Sequence, residues 1–162
     1  HSPEQRYREA IRVLASESPA PARTRAISDL REAAEAGFDD AQYRLAELYW
    51  VTAENSDDRS HAVSWFEKAA RQGHAQAAYR MGDATLNGSG GTPANGARAV
   101  TWFRKAADEE VAAAQYMLGM LYVSGKHVRK DRAQSERWFA RAAANGHPEA
   151  ATYLTALQRK EP

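Results

Sequence analysis

The sequence predicts an all-α fold, a right-handed α-solenoid of four helix–turn–helix repeats of 36–37 residues plus a C-terminal capping helix. Three features in one register carry this. Tyr7, Tyr43, Tyr79 and Tyr116 are spaced 36, 36 and 37 residues apart, and Thr152 falls 36 further on. An Ala-Ala pair recurs at Ala33-Ala34, Ala69-Ala70, Ala106-Ala107 and Ala142-Ala143. Glycines close the unit at Gly37, Gly73 and Gly146, with Glu110 in the equivalent place of the third. A period of this length marks an array of small helical units that bury their apolar faces on their neighbours.

Within a unit the apolar spacing is helical: Trp102, Phe103, Ala106 and Ala107 fall at i, i+1, i+4 and i+5. Helices are expected at 3–16, 22–36, 39–53, 57–72, 74–87, 94–109, 111–124, 131–145 and 147–160. Ser2 with Pro3 and Gln5 has the form of a capping box with proline at the first helical position. Asp39, Asp57, Asn95 and Asp131 stand where helices should start. Gly37, Gly73, Gly88, Gly125 and Gly146 stand where helices should end, since glycine takes the left-handed conformation without a Cβ clash. This divides one domain, 1–162, into repeats of about 1–37, 38–73, 74–110 and 111–146, then a capping helix over 147–162 with a polar finish at Gln158, Arg159 and Lys160.

Composition excludes several function classes. Lys+Arg 22 against Asp+Glu 21 gives a net charge of +1, which offers little attraction to nucleic acid. No apolar run approaches the ~18 residues of a membrane span, so no direct membrane insertion is expected. Cysteine is absent, which suits the cytosol and a bacterial periplasm alike. The chain opens on His1 without methionine or a recognisable leader, which leaves the compartment open. His1, His61, His74, His127 and His147 show no metal-ligand spacing, and His74 and His147 read as polar turn residues after a closing glycine. No Gly-x-Ser-x-Gly, phosphate-binding glycine loop or His-Glu-x-x-His occurs, so no catalytic, cofactor or metal residue is expected.

The repeated residues resemble the Sel1-like repeat family, a relative of the tetratricopeptide repeat. The fourth repeat carries the pattern nearly whole: Ala114-Gln115-Tyr116, Leu118-Gly119, Tyr122, Gly125, Val128, Asp131, Trp138-Phe139, Ala142-Ala143 and Gly146-His147. Two departures stand out. The first repeat has Asp29-Leu30 where the others have Trp65-Phe66, Trp102-Phe103 and Trp138-Phe139. The third carries a long glycine-rich connection from Asn87 to Pro93 in place of the family's Gly-x-Gly-Val turn, and mobility is expected there. The resemblance implies a non-catalytic scaffold or adaptor that binds another protein on the concave face of its A helices. It favours a bacterial periplasmic or exported protein, with the cytoplasm as the other compartment. An immunity protein that neutralises one secreted effector is the alternative, and a monomer or weak dimer is expected.

Small residues at Ala46, Gly82 and Gly119 mark close helix approach, and Trp65, Trp102 and Trp138 are expected to fill the gaps between repeats. At about 100° per residue, the A-helix positions that avoid the buried side are Tyr−3, Tyr, Tyr+1, Tyr+4, Tyr+7 and Tyr+8. They give Ile11, Leu14 and Ala15 in the first repeat and Val51 in the second. The candidate groove residues are Tyr43, Arg44, Glu47, Trp50, Tyr79, Arg80, Asp83, Tyr116, Met117 and Met120. Tyrosine, tryptophan and arginine dominate protein interfaces, and methionine suits an adaptable contact. Trp50 is the one tryptophan outside the repeat register. The bland alternative is that the tyrosines pack the repeat and that Arg44–Glu47 and Arg80–Asp83 are surface pairs.

Overall fold

The computed structural model describes residues 1–159. Among these are nine helices: α1 Pro3–Leu14, α2 Ala20–Glu35, α3 Asp39–Val51, α4 Ser56–Arg71, α5 Ala75–Asn87, α6 Gly96–Asp108, α7 Ala112–Ser124, α8 Arg132–Ala144 and α9 Ala150–Arg159. They form four helical hairpins plus a C-terminal helix, the sequential packing of an α-solenoid. Lys160, expected in the polar finish of the last helix, lies outside the described residues. The chain divides into two compact units, His1–His74 and Ala75–Pro162. In the first, α2 packs against both α1 and α3, and α3 against α4. In the second, each helix from α5 to α9 packs on the next.

The start signals work as local chemistry requires. Ser2 and Gln5 close a reciprocal capping box, with Gln5 N donating to Ser2 Oγ at 3.1 Å and Ser2 N to Gln5 Oε1 at 2.9 Å. Asn95 and Asp131 cap α6 and α8 by accepting from Arg98 N at 3.1 Å and Gln134 N at 3.0 Å. The cap of α4 is Asn55, not Asp57, because the Asn55 side chain takes Asp58 N at 2.9 Å and starts the helix at Ser56. α2 starts at Ala20, two residues before the expected start, and holds Pro21 in its first turn, where no backbone donor is needed. α9 starts three residues late, at Ala150.

Each A/B unit ends in the same turn. Gly37, Gly73 and Gly146 are left-handed, and the next residue donates back across it: Phe38 to Ala33, His74 to Ala69 and His147 to Ala142, at 2.9–3.2 Å. Val111 makes the same bond to Ala106 at 3.2 Å, so Glu110 adopts a φ of +63° in the glycine's place.

The fully buried wedge is phenylalanine rather than tryptophan. Phe66, Phe103 and Phe139 are buried to within 2% of completely. Gly82 and Gly119 are glycine for this reason: a Cβ at either would lie 2.6–2.7 Å from the ring of Phe103 or Phe139. Trp102 and Trp138 lie at the edge of the buried layer and Trp65 is half-buried, each with a cation over its ring from three residues on: Lys105, Arg141 and Lys68, at 4.2–4.8 Å.

Backbone hydrogen bonds give the glycine-rich connection a defined path. Ser89 N bonds Ala84 O, Thr92 N bonds Ser89 O and Asn95 N bonds Thr85 O, at 2.8–3.1 Å. Gly96, the first residue of α6, lies under the imidazole of His127, where a Cβ would overlap the ring.

Candidate functional site

The A helices α1, α3, α5 and α7 carry the tyrosine ladder, and the structure shows what holds each ring. Tyr43, Tyr79 and Tyr116 lean on Phe66, Phe103 and Phe139 of the following B helix, with ring centroids 5.8–5.9 Å apart. His74 stacks on Tyr43 at 4.5 Å and His147 on Tyr116 at 4.2 Å. These histidines are therefore half-buried packing partners, not solvated turn residues. Phe38 takes the same place against Tyr7, edge-on at 6.4 Å.

Asp40 ties the first unit together. It accepts from Tyr7 Oη, from Arg44 Nε at 2.9 Å and from His74 Nε2 at 3.1 Å. Burial raises its pKa, but the bonds from Tyr7, Arg44 and His74 outweigh that and hold it below the usual carboxylate range. Burial first, then the bond to Asp40, pushes the Tyr7 phenol well up. In the second unit, burial and then the neighbouring Tyr153 and Glu149 push Tyr116 up to about 12. Burial, and then Asp83, raises Tyr79.

The ten candidate side chains divide into different environments, none of them fully buried. Arg44 and Glu47 line an open cavity of about 330 Å³ in the first unit. Ile11 and Leu14 of α1, Ala15 just after it, and Leu48 and Val51 of α3 form its walls, with Arg23 and Leu30 of α2 completing the lining. Val51 is 81% exposed. Trp50 is not in that lining; it is half-buried, with the Arg59 guanidinium of α4 5.2 Å from its ring. The indole outside the repeat register thus has a partner on α4. In the second unit, Arg80 is half-buried and Asp83, exposed, accepts from Asn87 at 3.1 Å. Met117 is half-buried on α7. Met120 packs with Tyr116, Val123, Leu154 and Leu157 against Phe139, so it serves the core and was wrongly expected to point away from helix packing.

One sequence difference lies beside the cavity. Leu30 stands in the repeat position that Phe66, Phe103 and Phe139 occupy elsewhere. It is itself fully buried and borders the cavity between α1 and α3.

Sequence reasoning missed two sets of residues. Gln42 and Gln115, buried beside the tyrosines, donate to the Ala34 and Ala107 carbonyls at 3.1 and 3.0 Å. They also accept from Gln72 at 2.8 Å and from Asn145 at 2.9 Å. Their recurrence one residue before Tyr43 and Tyr116 was the available signal. Glu110 accepts from Gln115 at 2.9 Å, Asn145 at 2.6 Å and Arg141. Those bonds draw its carboxyl down to about 2. Among the described residues no group of three or more His, Cys, Asp and Glu can hold a metal ion, and no helix is long and apolar enough to cross a membrane.

Comparison with protein families adds one decisive finding: the Sel1 repeat model matches residues 39–74, 75–110 and 112–147. The chain belongs to the Sel1 repeat family. A Sel1 repeat protein from Oxalobacter formigenes is similar at 26% identity and a TM-score of 0.82, over 94% of this chain and 62% of that one. The protective antigen c5321, present in uropathogenic Escherichia coli strains, is similar at 30% identity and a TM-score of 0.84, over 99% of this chain and 34% of that one. This Sel1 repeat chain therefore spans less than two thirds of the length of either. Helicobacter pylori cysteine rich protein B shares the fold at 19% identity and a TM-score of 0.61, over 79% of this chain and 96% of that one. No curated protein sequence matched.

Proposed function

We propose that this Sel1 repeat chain is a non-catalytic scaffold that binds a partner protein through its A-helix face, with the cavity of the first unit as the anchor site. The supporting observation is the combination of aliphatic walls, an exposed Val51 and a charged lining of Arg23, Arg44 and Glu47. Interfaces concentrate their energy where an apolar side chain fills a pocket ringed by polar groups. Arg44 is held in place by Asp40, so it offers a fixed rather than a searching donor. The proposed contact set is Arg44, Glu47 and Val51 first, with Tyr43, Trp50, Tyr79, Arg80, Asp83, Tyr116, Met117 and Met120 contributing shape and rim.

The test is capture of partners from bacterial lysate and envelope fractions by the wild-type chain beside Val51→Asp and Arg44→Glu. Loss of one stoichiometric partner with both variants, their helical content unchanged, is the expected result. A captured enzyme whose activity the wild-type chain blocks would make the protein an inhibitor of immunity type. Retention of all partners by both variants would move the binding site off this face.

A further inference from the structure

The turns that join each A helix to its B helix differ in charge between the two units. In the first unit they carry Glu17 and Glu54, followed by Asp57 and Asp58 in the first turn of α4, all exposed, with Asp58 accepting from Glu54 N at 3.0 Å. The next cation along, Arg59, is engaged over Trp50. In the second unit the connection from Gly88 to Asn95 has no charged residue, and the turn after α7 carries Lys126, Arg129 and Lys130, all exposed. Asp131, the one acid of that turn, is committed to capping α8. None of Glu54, Asp57, Lys126, Arg129 or Lys130 joins an ion pair among the described residues. The whole chain nevertheless nets +1, so two copies meet without general repulsion.

We propose that these two turns are complementary docking surfaces, the acidic turn of one copy pairing with the basic turn of a second copy of this chain. The turns expose no large apolar or aromatic side chain, and Val128 is half-buried, so neither lipid insertion nor base stacking has an anchor there. The acidic set that matches the basic turn is present in the same sequence. One such contact joins two copies. Exposed charges of this kind give weak, salt-dependent association. The self-association is independent of partner binding at the A-helix face.

Sedimentation equilibrium of the full chain over a concentration series tests this. At low ionic strength the weight-average mass should climb from one towards two chain masses, and return to one near 1 M salt, where the Debye length is about 3 Å. Two charge-reversed forms, Glu54→Lys with Asp57→Lys and Lys126→Glu with Arg129→Glu, should each stay monomeric alone. Mixed in equal amounts, they should recover association, because each now supplies the turn the other lacks. Circular dichroism of each form establishes that it is folded. A wild-type mass of one chain at every concentration and salt would overturn the proposal. So would dimers that survive in either reversed form, or a mixture that fails to associate. A chain that stays monomeric but binds poly-glutamate through Lys126 and Arg129 would also overturn it, making a foreign acidic segment the occupant.

Discussion

The two units solve one packing problem differently. In the second, Phe103 and Phe139 fill the space behind the A helices so completely that the facing positions must be Gly82 and Gly119. In the first, Leu30 takes the equivalent position in the first repeat, and an open cavity between α1 and α3 borders it. The cavity thus lies beside the repeat that lacks the aromatic pair.

That contrast can be broken by truncating each wedge. Phe103→Ala should cost about 3–5 kcal/mol, the range for a buried aromatic, because Gly82 offers nothing to collapse into the hole. Leu30→Ala should cost less, nearer ~2 kcal/mol, because leucine loses fewer buried carbons than phenylalanine does. Urea titrations read both, and equal losses would show that the two sites are packed alike. Trp102→Ala should fall below Phe103→Ala, since the indole lies at the layer's edge under Lys105.

The next effect is smaller. Gly82→Ala adds a methyl against the Phe103 ring and should cost about 1–3 kcal/mol by overpacking. The second repeat keeps Ala46 with Phe66, so the substituted chain should still fold. A neutral or stabilising result in thermal unfolding would mean that the ring yields freely.

Much of this was legible in the sequence, and the exceptions have physical reasons. The tyrosine and Ala-Ala spacing gave the helix order because each marker is tied to one contact that recurs in every repeat. The Trp-Phe pair was visible, but adjacent residues on a helix point about 100° apart, and periodicity alone does not say which one faces inward. The stacking of His74 and His147 depends on where a turn returns over the preceding tyrosine, which is a three-dimensional fact. The groove was readable as a set of angles, yet Trp50 and Met120 turned out to have packing partners across α4 and α9 that no single-helix projection contains. The hydrogen-bonded connection after Gly88 was equally hidden, since its glycines signal left-handed backbone rather than freedom.

Each unit also has an acid-sensitive staple, Asp40 in the first and Glu110 in the second. Both carboxyls sit below their usual range when folded. A lowered folded pKa contributes stability above the unfolded value and loses it as pH falls through the folded one. For Glu110 that window runs from its ordinary 4.5 down to about 2. Stability should therefore decline over this interval, and Glu110→Gln should flatten the decline. An unchanged acid profile in Glu110→Gln would remove Glu110 from the account.

The central claim is that the space beside Leu30 is a binding site, and filling it tests that most directly. Leu30→Phe restores the residue that seals the other repeats, without touching a charge or an exposed side chain. The partner captured by the wild-type chain should bind Leu30→Phe at least ~1 kcal/mol more weakly by titration calorimetry, the level that marks an important contact. Ser64→Arg, an exposed change on α4 outside the cavity, should leave binding unchanged. Equal affinity of wild type and Leu30→Phe, with a crystal structure showing the cavity filled, would contradict the claim.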